Sequence, residues 1–254
     1  MPLTERRTLA EITGGDGRPD AASDLGYARF DHDYPTDLLD AVLARGRELR
    51  AAAGTDRPRF LGLDHLRRVQ DSIAEVAELV HDEKRLHHLS ELAGVELEPY
   101  PIRTSCSGIN FYRPGQRPIE FHRDGPAFVE LVPLHVDGAQ QGGSTVVFRG
   151  PPDVGRRRLR AGEEFGPDEL LRIPQRAGAS VLLQGRMLFH SAETLTDGHR
   201  VTLVLSLRSA AEPWKDSNTL GRLLNDDAPE DVEDDWRRDV ETRRLPALRE
   251  HLLS

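Results

Sequence analysis

Residues 187–208 read MLFHSAETLTDGHRVTLVLSLR, and the last nine, Arg200–Arg208, form the clearest strand in the chain. Val201, Leu203, Leu205 and Leu207 fall on one face at period two, while Arg200, Thr202, Val204 and Ser206 fall on the other. An arginine heading a buried strand needs an anion to offset its desolvation, and the carboxylate of a small ligand is a natural bidentate partner. The Thr202 hydroxyl points to the same place. Ten residues before Arg200, His190 ends a short predicted strand, Met187–His190, which follows another at Ala179–Leu183.

Upstream, residues 98–112 and 119–148 carry short apolar runs rich in Val, Phe, Leu and Thr. Pro114-Gly115, Gly125-Pro126, Gly138 and Gly142-Gly143 punctuate them. Several short, turn-bounded strands predict a sandwich or barrel. Within this region IEFHRD places Glu120, His122 and Asp124 at period two. An imidazole and a carboxylate on one face can hold two adjacent positions around a divalent metal, and His190 supplies a third. Two histidines and one carboxylate leave open the coordination positions that a dioxygen-activating, non-haem iron(II) site requires. Two other segments share the His-x-acid spacing. His81-Asp82-Glu83 ends an amphipathic helix, where charges are normally solvated, and His135-Val136-Asp137 is the rival metal pair.

The flanks read as helical. A helix is expected from Thr36 to Ala53 with Gly54 as its stop, and Leu66, Val69, Ile73, Val76 and Val80 repeat at helical spacing. Leu86, Leu89 and Leu92 continue that pattern to Gly94. Residues 1–24 read as a flexible tail, and residues 150–177 as an insertion with a short helix near Pro167–Arg172. A charged helix is expected from Pro229 to Leu252, with the acidic stretch Asp226–Glu241 on its solvated face. Cys106 reads as a small buried residue.

Composition excludes several classes. The chain has 34 Lys+Arg against 43 Asp+Glu, a net charge of −9, which disfavours a binder of nucleic-acid backbones. A single cysteine rules out an intramolecular disulfide framework and any thiolate-only metal site, so a metal must be held by nitrogen and oxygen. No apolar window reaches the length of a membrane span, and no secretory leader is evident, so a cytoplasmic protein is expected. Only Lys84 and Lys215 are lysines, so almost all the positive charge is arginine.

The ordered set of residues resembles the iron(II)- and 2-oxoglutarate-dependent dioxygenases. The matching elements are His122-x-Asp124, His190 68 residues beyond His122, and Arg200 and Thr202 ten and twelve residues after His190. Asn110-Phe111-Tyr112-Arg113-Pro114-Gly115 looks like the N-x-Y-x-x-G segment of some members. Gly142-Gly143-Ser144-Thr145 is similar to a Gly-Gly turn common in their fold. The resemblance covers residues 100–210. It implies an α+β chain with a double-stranded β-helix (jelly-roll, cupin-like) core over residues 97–210, flanked by N- and C-terminal helices, as one domain over residues 1–254.

The same resemblance implies a site. His122, Asp124 and His190 would ligate Fe(II), and Arg200 and Thr202 would bind the distal carboxylate of 2-oxoglutarate, with Asn110 and Tyr112 as further contacts. O2 would drive decarboxylation of this co-substrate to succinate and CO2, with hydroxylation of a C–H bond as the default outcome. Related halogenases replace the carboxylate ligand with Gly or Ala, so Asp124 argues against halogenation. Residues 150–177 and 211–228 stand where lids often occur. Glu120 is a candidate for a substrate ammonium group and Arg123 for a carboxylate, with Arg186 and Arg208 as further cations. The expected substrate is a small polar molecule, an amino acid or its derivative, in specialised biosynthesis. The competing reading is a non-catalytic or differently acting cupin-like metal- or ligand-binding protein.

Overall fold

The computed structural model describes residues 1–15, 19–53, 64–115, 119–137 and 141–253. The chain begins with β1 (Leu3–Thr8), α1 (Leu9–Thr13), β2 (Leu25–Asp31), α2 (Thr36–Ala52), β3 (Asp64–Arg67), α3 (Ala74–His81) and α4 (Glu83–Ala93). It continues with β4 (Leu97–Pro99), α5 (Arg103–Cys106), β5 (Ser107–Tyr112), β6 (Ile119–His122), β7 (Phe128–Val136), β8 (Gln141–Gly142) and β9 (Thr145–Phe148). Then come α6 (Pro152–Arg160), β10 (Leu170–Ile173), β11 (Ala179–Leu183), β12 (His190–Ala192), β13 (Leu195–Asp197) and β14 (Arg200–Ser209). The helices α7 (Leu220–Leu223), α8 (Pro229–Asp239) and α9 (Leu245–Leu253) close the chain. Gly54 and Gly138, expected as a helix stop and a turn, lie outside the described residues.

Among the described residues the strands form a large sheet in the order β1-β2-β11-β7-β14-β5-β3, with β4 also on β14. A smaller sheet runs β10-β9-β12-β6, and β13 pairs with β8. The two main sheets pack face to face through Val129, Val181 and Leu183 on one side and Val147 and Ile173 on the other. This is the expected α+β architecture, a double-stranded β-helix with helices outside. β14 divides its residues as its pattern requires. Val201, Leu203 and Leu205 meet Val42, Val76 and Val80 of α2 and α3, while Val204 turns inward.

Several expectations change. Residues 3–8 are a strand rather than a tail. β1 pairs antiparallel with β2, and Thr8 with Glu11 forms a capping box that starts α1. The run from Leu66 to Val80 is not one helix. Leu66 belongs to β3, paired with β5, and Arg68 adopts a left-handed φ of 56° before α3 begins. Strand end, turn and helix all face the same core, which explains how a helical apolar spacing survives the break. α4 restarts at Asp82, whose carboxylate accepts the Arg85 N–H at 2.8 Å, and ends at Gly94 in the left-handed conformation, as expected.

In the 150–177 region the helix is Pro152–Arg160. Pro167–Glu169 is a single 3-10 turn, and Leu170–Ile173 pairs with β9. Met187 and Leu188 are fully buried but lie in a turn, so the strand begins at His190.

Two buried polar networks brace this framework. Arg85 of α4 donates to Glu130 of β7 at 2.7 Å, and the Tyr34 hydroxyl donates to the other Glu130 oxygen at 2.7 Å. At the C-terminal end, α8 and α9 are continuous through a π-helical turn at Val240–Arg244. Arg244 donates to Asp216 at 2.9 and 2.7 Å and to Asp239 at 2.5 Å, and Arg208 reaches Asp239 at 2.7 Å. The Tyr100 hydroxyl donates to Asp216 at 3.1 Å and accepts from Asn218 Nδ2 at 2.9 Å. Part of the acidic stretch expected to be solvated is therefore interior, Asp235 and Asp239 being buried. Among the described residues no helix is long and apolar enough to cross a membrane.

Candidate metal centre

His122 ends β6 and His190 begins β12, and the two are direct partners across this antiparallel pair. Register alone thus joins residues far apart in sequence, with ring centroids 4.4 Å apart. Each ring is fixed through Nδ1. His122 Nδ1 lies 2.7 Å from the Glu120 carbonyl, and His190 Nδ1 lies 3.1 Å from the Leu188 carbonyl. A proton on each Nδ1 leaves Nε2 as the free lone pair, the orientation a metal ligand requires. Both Nε2 atoms converge on Asp124 Oδ1, at 3.4 Å from His122 and 3.6 Å from His190.

Asp124 lies two residues past the end of β6, and its position is enforced by neighbours. Its N–H donates to the Gly185 carbonyl at 3.2 Å, and Ser217 Oγ donates to its carbonyl at 2.9 Å. A Cβ at Gly185 would overlap Asp124 Oδ2. Burial alone would raise the Asp124 pKa, but His190 and His122 beside it hold the carboxyl well below its usual range. Burial alone would lower the His190 pKa, and the Asp124 charge reverses that and pushes it up. Asp124 Oδ2 is buried and accepts no hydrogen bond. Among the described residues, His122, Asp124 and His190 are the group whose ligand atoms all lie within 4.8 Å of one another. Two imidazole nitrogens, a carboxylate and an orphaned carboxylate oxygen fit a divalent metal with open positions.

The four residues expected at the co-substrate form two cross-strand pairs between β14 and β5, Arg200 with Tyr112 and Thr202 with Asn110. On β5, Ile109 and Phe111 are buried in the helix-facing core, which leaves Asn110 and Tyr112 on the opposite face. Arg200 is 1% exposed, with its guanidinium carbon 3.9 Å above the Tyr112 ring centroid. It donates to the Gly143 carbonyl. Its Nε is buried without a hydrogen bond, and among the described residues no carboxylate, Asp197 included, pairs with it. A buried cation so incompletely satisfied fits an anionic ligand. Thr202 Oγ1 donates to Gln175 Oε1 at 3.1 Å, and Gln175 Nε2 donates to Thr145 Oγ1 at 3.2 Å. Gln175 and Thr145 carry no local signature.

A cavity of about 230 Å3 opens at His122 and Asp124, and Asn110, Val129, Val204, Ser206 and Asn218 line it. Arg200 and Tyr112 border a different cleft, of about 500 Å3, with Arg113, His135, Asp137 and His199. The rival pair is tied up there, since His135 Nε2 lies 2.9 Å from Asp137 Oδ1 and His199 Nδ1 lies 3.3 Å from Oδ2.

The substrate candidates separate. Arg123 lines the metal cavity, but Glu120 is exposed and does not. The β6–β12 pairing slips between His190↔His122 and Ala192↔Ile119, so the extra residue turns Ile119 to the cavity in place of Glu120. Arg208 pairs with Glu98 and Asp239, and Arg186 points to Asp20, so neither is presented to a ligand. Residues 211–228 do reach the site. Asn218, Arg222, Leu223 and Asp226 line the cavity, and Arg222 donates to the Arg123 carbonyl at 3.1 Å. Cys106 is buried, which pushes its thiol up to about 12 and leaves it unreactive.

No protein-family model and no curated protein matches the chain. Among solved structures it is similar to HygX from Streptomyces hygroscopicus, determined with nickel and 2-oxoglutarate bound. The TM-score is 0.56 at 15% identity, over 72% of this chain and 83% of that one. It is similar to the non-haem α-ketoglutarate-dependent carbocyclase SnoK from nogalamycin biosynthesis, with a TM-score of 0.55 at 17% identity over 82% and 88% of the two chains. AviO1 from Streptomyces viridochromogenes Tue57 gives 0.53 at 19% identity over 72% and 90%. The chain has the fold of the Fe(II)- and 2-oxoglutarate-dependent oxygenases.

Proposed function

We propose that this protein is an Fe(II)- and 2-oxoglutarate-dependent oxygenase that hydroxylates an unactivated C–H bond of a small polar molecule, an amino acid or a derivative of one. The observation that carries the reading is the convergence of His122, Asp124 and His190 with both Nε2 atoms presented to one carboxylate oxygen. The fold is shared with a carbocyclase, so fold alone does not select hydroxylation. The retained carboxylate of Asp124 supports it over halogenation.

In this reading His122, Asp124 and His190 hold the metal, and Arg200 with Thr202 receives the distal carboxylate of 2-oxoglutarate beside Asn110 and Tyr112. Iron bound there would supply the chemistry by which O2 and 2-oxoglutarate become succinate and CO2 while a substrate C–H becomes an alcohol. The chain's own work is positional. The Glu120 and Leu188 carbonyls hold the two imidazoles in one tautomer. Arg200 fixes one end of the co-substrate through charge-assisted hydrogen bonds. Residues 217–226 wall the cavity, which limits water around the reacting carbon. The test is to load the protein anaerobically with Fe(II) and 2-oxoglutarate, admit air, and measure succinate against a panel of amino acids and their derivatives. Substrate-stimulated succinate that disappears in His122→Ala and Arg200→Ala is the expected result. Failure of the unaltered protein to bind 2-oxoglutarate overturns the reading.

A further inference from the structure

Most arginines in this acidic chain are neutralised locally. Arg50, Arg67, Arg103, Arg158, Arg208 and Arg244 each reach a carboxylate within 3.0 Å. Three arginines without such a partner among the described residues, Arg156, Arg160 and Arg222, gather in one place. Beside the metal centre runs a cleft of about 700 Å3 whose wall carries Arg123, Arg156, Arg160 and Arg222, with Glu120 the one acid among its lining residues. His122, Arg123 and Arg222 line both this cleft and the metal cavity, so the two are contiguous.

Arg156 and Arg160 are four residues apart on α6 and therefore share a face. Among the described residues neither they nor Arg222 has a carboxylate at ion-pairing distance. Arg158, turned the other way on the same helix, is taken up by Glu163 and Glu169 at 2.9 and 2.5 Å. Arg222 is oriented by neutral oxygens, donating to Ser217 Oγ at 3.0 Å and to the Arg123 carbonyl at 3.1 Å, which fixes its charge without cancelling it. Arginines in a last helical turn do favour the helix dipole. That accounts for neither Arg123, which follows β6, nor Arg156, which stands before the last turn of α6. The charges of Arg156, Arg160 and Arg222 on one cleft repel one another, and an anion between them relieves that repulsion.

We propose that this cleft is the subsite for a phosphate-bearing part of the substrate, a diphosphate or phosphate ester, whose oxidised carbon lies at the metal; the assignment to substrate rests on the oxygenase reading above. One guanidinium fork satisfies the two oxygens of a carboxylate, whereas several forks match the oxygens and charge of phosphate groups. The segments 150–177 and 211–228 thereby acquire a shared ligand, since each contributes arginine to it.

Isothermal titration calorimetry of the full chain without added metal tests this, with inorganic pyrophosphate and citrate as probes. Pyrophosphate is expected to bind more tightly than citrate, and more weakly as salt rises. Arg156→Ala/Arg160→Ala should weaken it at least about tenfold, the fold-change of one lost charge-assisted hydrogen bond, and Arg157→Ala, outside the cleft, should not. The double variant should keep its affinity for 2-oxoglutarate measured with Ni(II). Equal pyrophosphate binding by the double variant overturns the proposal, as do equal affinity for citrate and loss of binding in Arg200→Ala instead. The pyrophosphate titration uses neither metal nor co-substrate, so its failure leaves the oxygenase reading intact. Failure of 2-oxoglutarate to bind sinks that reading while leaving the anion site in place.

Discussion

Gly185 and Asp124 are packed so closely that a methyl group on the first would occupy the space of the carboxylate on the second. The Asp124 N–H also donates to the Gly185 carbonyl, so the two residues form one unit. Gly185→Ala should displace the carboxylate while leaving the sheets in place, because the clash is with a side chain near the surface of the core. Displaced supporting contacts at metal sites weaken affinity roughly 10- to 100-fold. Titration of Ni(II) or Fe(II) into the variant, with circular dichroism as the folding control, checks this. Unchanged metal affinity would remove Asp124 from the ligand set.

Arg200→Lys should separate co-substrate from metal. Lysine keeps the charge but loses the planar fork and the stacking on Tyr112. Loss of one or two charge-assisted hydrogen bonds is worth about 1.5–3 kcal/mol, roughly ten- to a hundredfold in affinity. We expect 2-oxoglutarate binding to weaken by that factor with Ni(II) affinity retained, both read by calorimetry. Parallel loss of metal binding would mean that Arg200 acts on the fold.

Glu130→Ala should be severely destabilising, by about 3–5 kcal/mol, because it strands the Arg85 guanidinium in a fully buried position. Replacing both partners by apolar residues, Arg85→Met with Glu130→Leu, should recover most of that loss. Urea denaturation of the three proteins gives the comparison, and a double variant no better than the single would show that packing, not charge, sets the cost.

Stability should fall between neutral and mildly acidic pH through His32. Its ring stacks 4.6 Å from Tyr34, and both ring nitrogens are buried without hydrogen bonds. Burial lowers its pKa below the ordinary 6.5, against the pull of Glu130, Asp33 and Asp31. As pH drops through 6.5 the unfolded chain takes up a proton that the folded chain refuses, so stability is lost from 6.5 down to the folded value and is unaffected above it. His88, also held down by burial, adds to the same slope. In melting temperatures measured from pH 7.5 to 5.5, His32→Phe should flatten part of the decline. An unchanged decline would assign it elsewhere.

The legible parts of this protein are those where one chemical requirement acts over a short range. β14 declares itself because its two faces meet different surroundings, while the pairs His122-x-Asp124 and His190…Arg200, 68 residues apart, stand out only as an ordered set that resembles a known family. Parts that depend on distant neighbours are not legible. The roles of Gln175, Asn218 and Gly185 come from contacts with chain segments far away, and nothing beside them in sequence marks it. β1 and β2 are obscured by Arg6, Arg7 and Arg29, which pair with Asp24 and Glu5 and so leave an edge strand looking like a charged tail. Met187 and Leu188 are apolar for burial rather than for strand formation. The slip in β6 that exchanges Glu120 for Ile119 is invisible to any strictly alternating reading.

The Arg244 network makes the junction of α8 and α9 a support for one wall of the cavity. Arg244 grips Asp216, Asp216 fixes the Tyr100 hydroxyl and the Asn218 backbone N–H, and Asn218 lines the cavity together with His122 and Asp124. A chain shortened before that arginine would keep every metal ligand and lose the brace behind one cavity wall. Sequence drift in a C-terminal helix is ordinarily counted as neutral; here it would reshape a cavity wall while leaving His122, Asp124 and His190 in place.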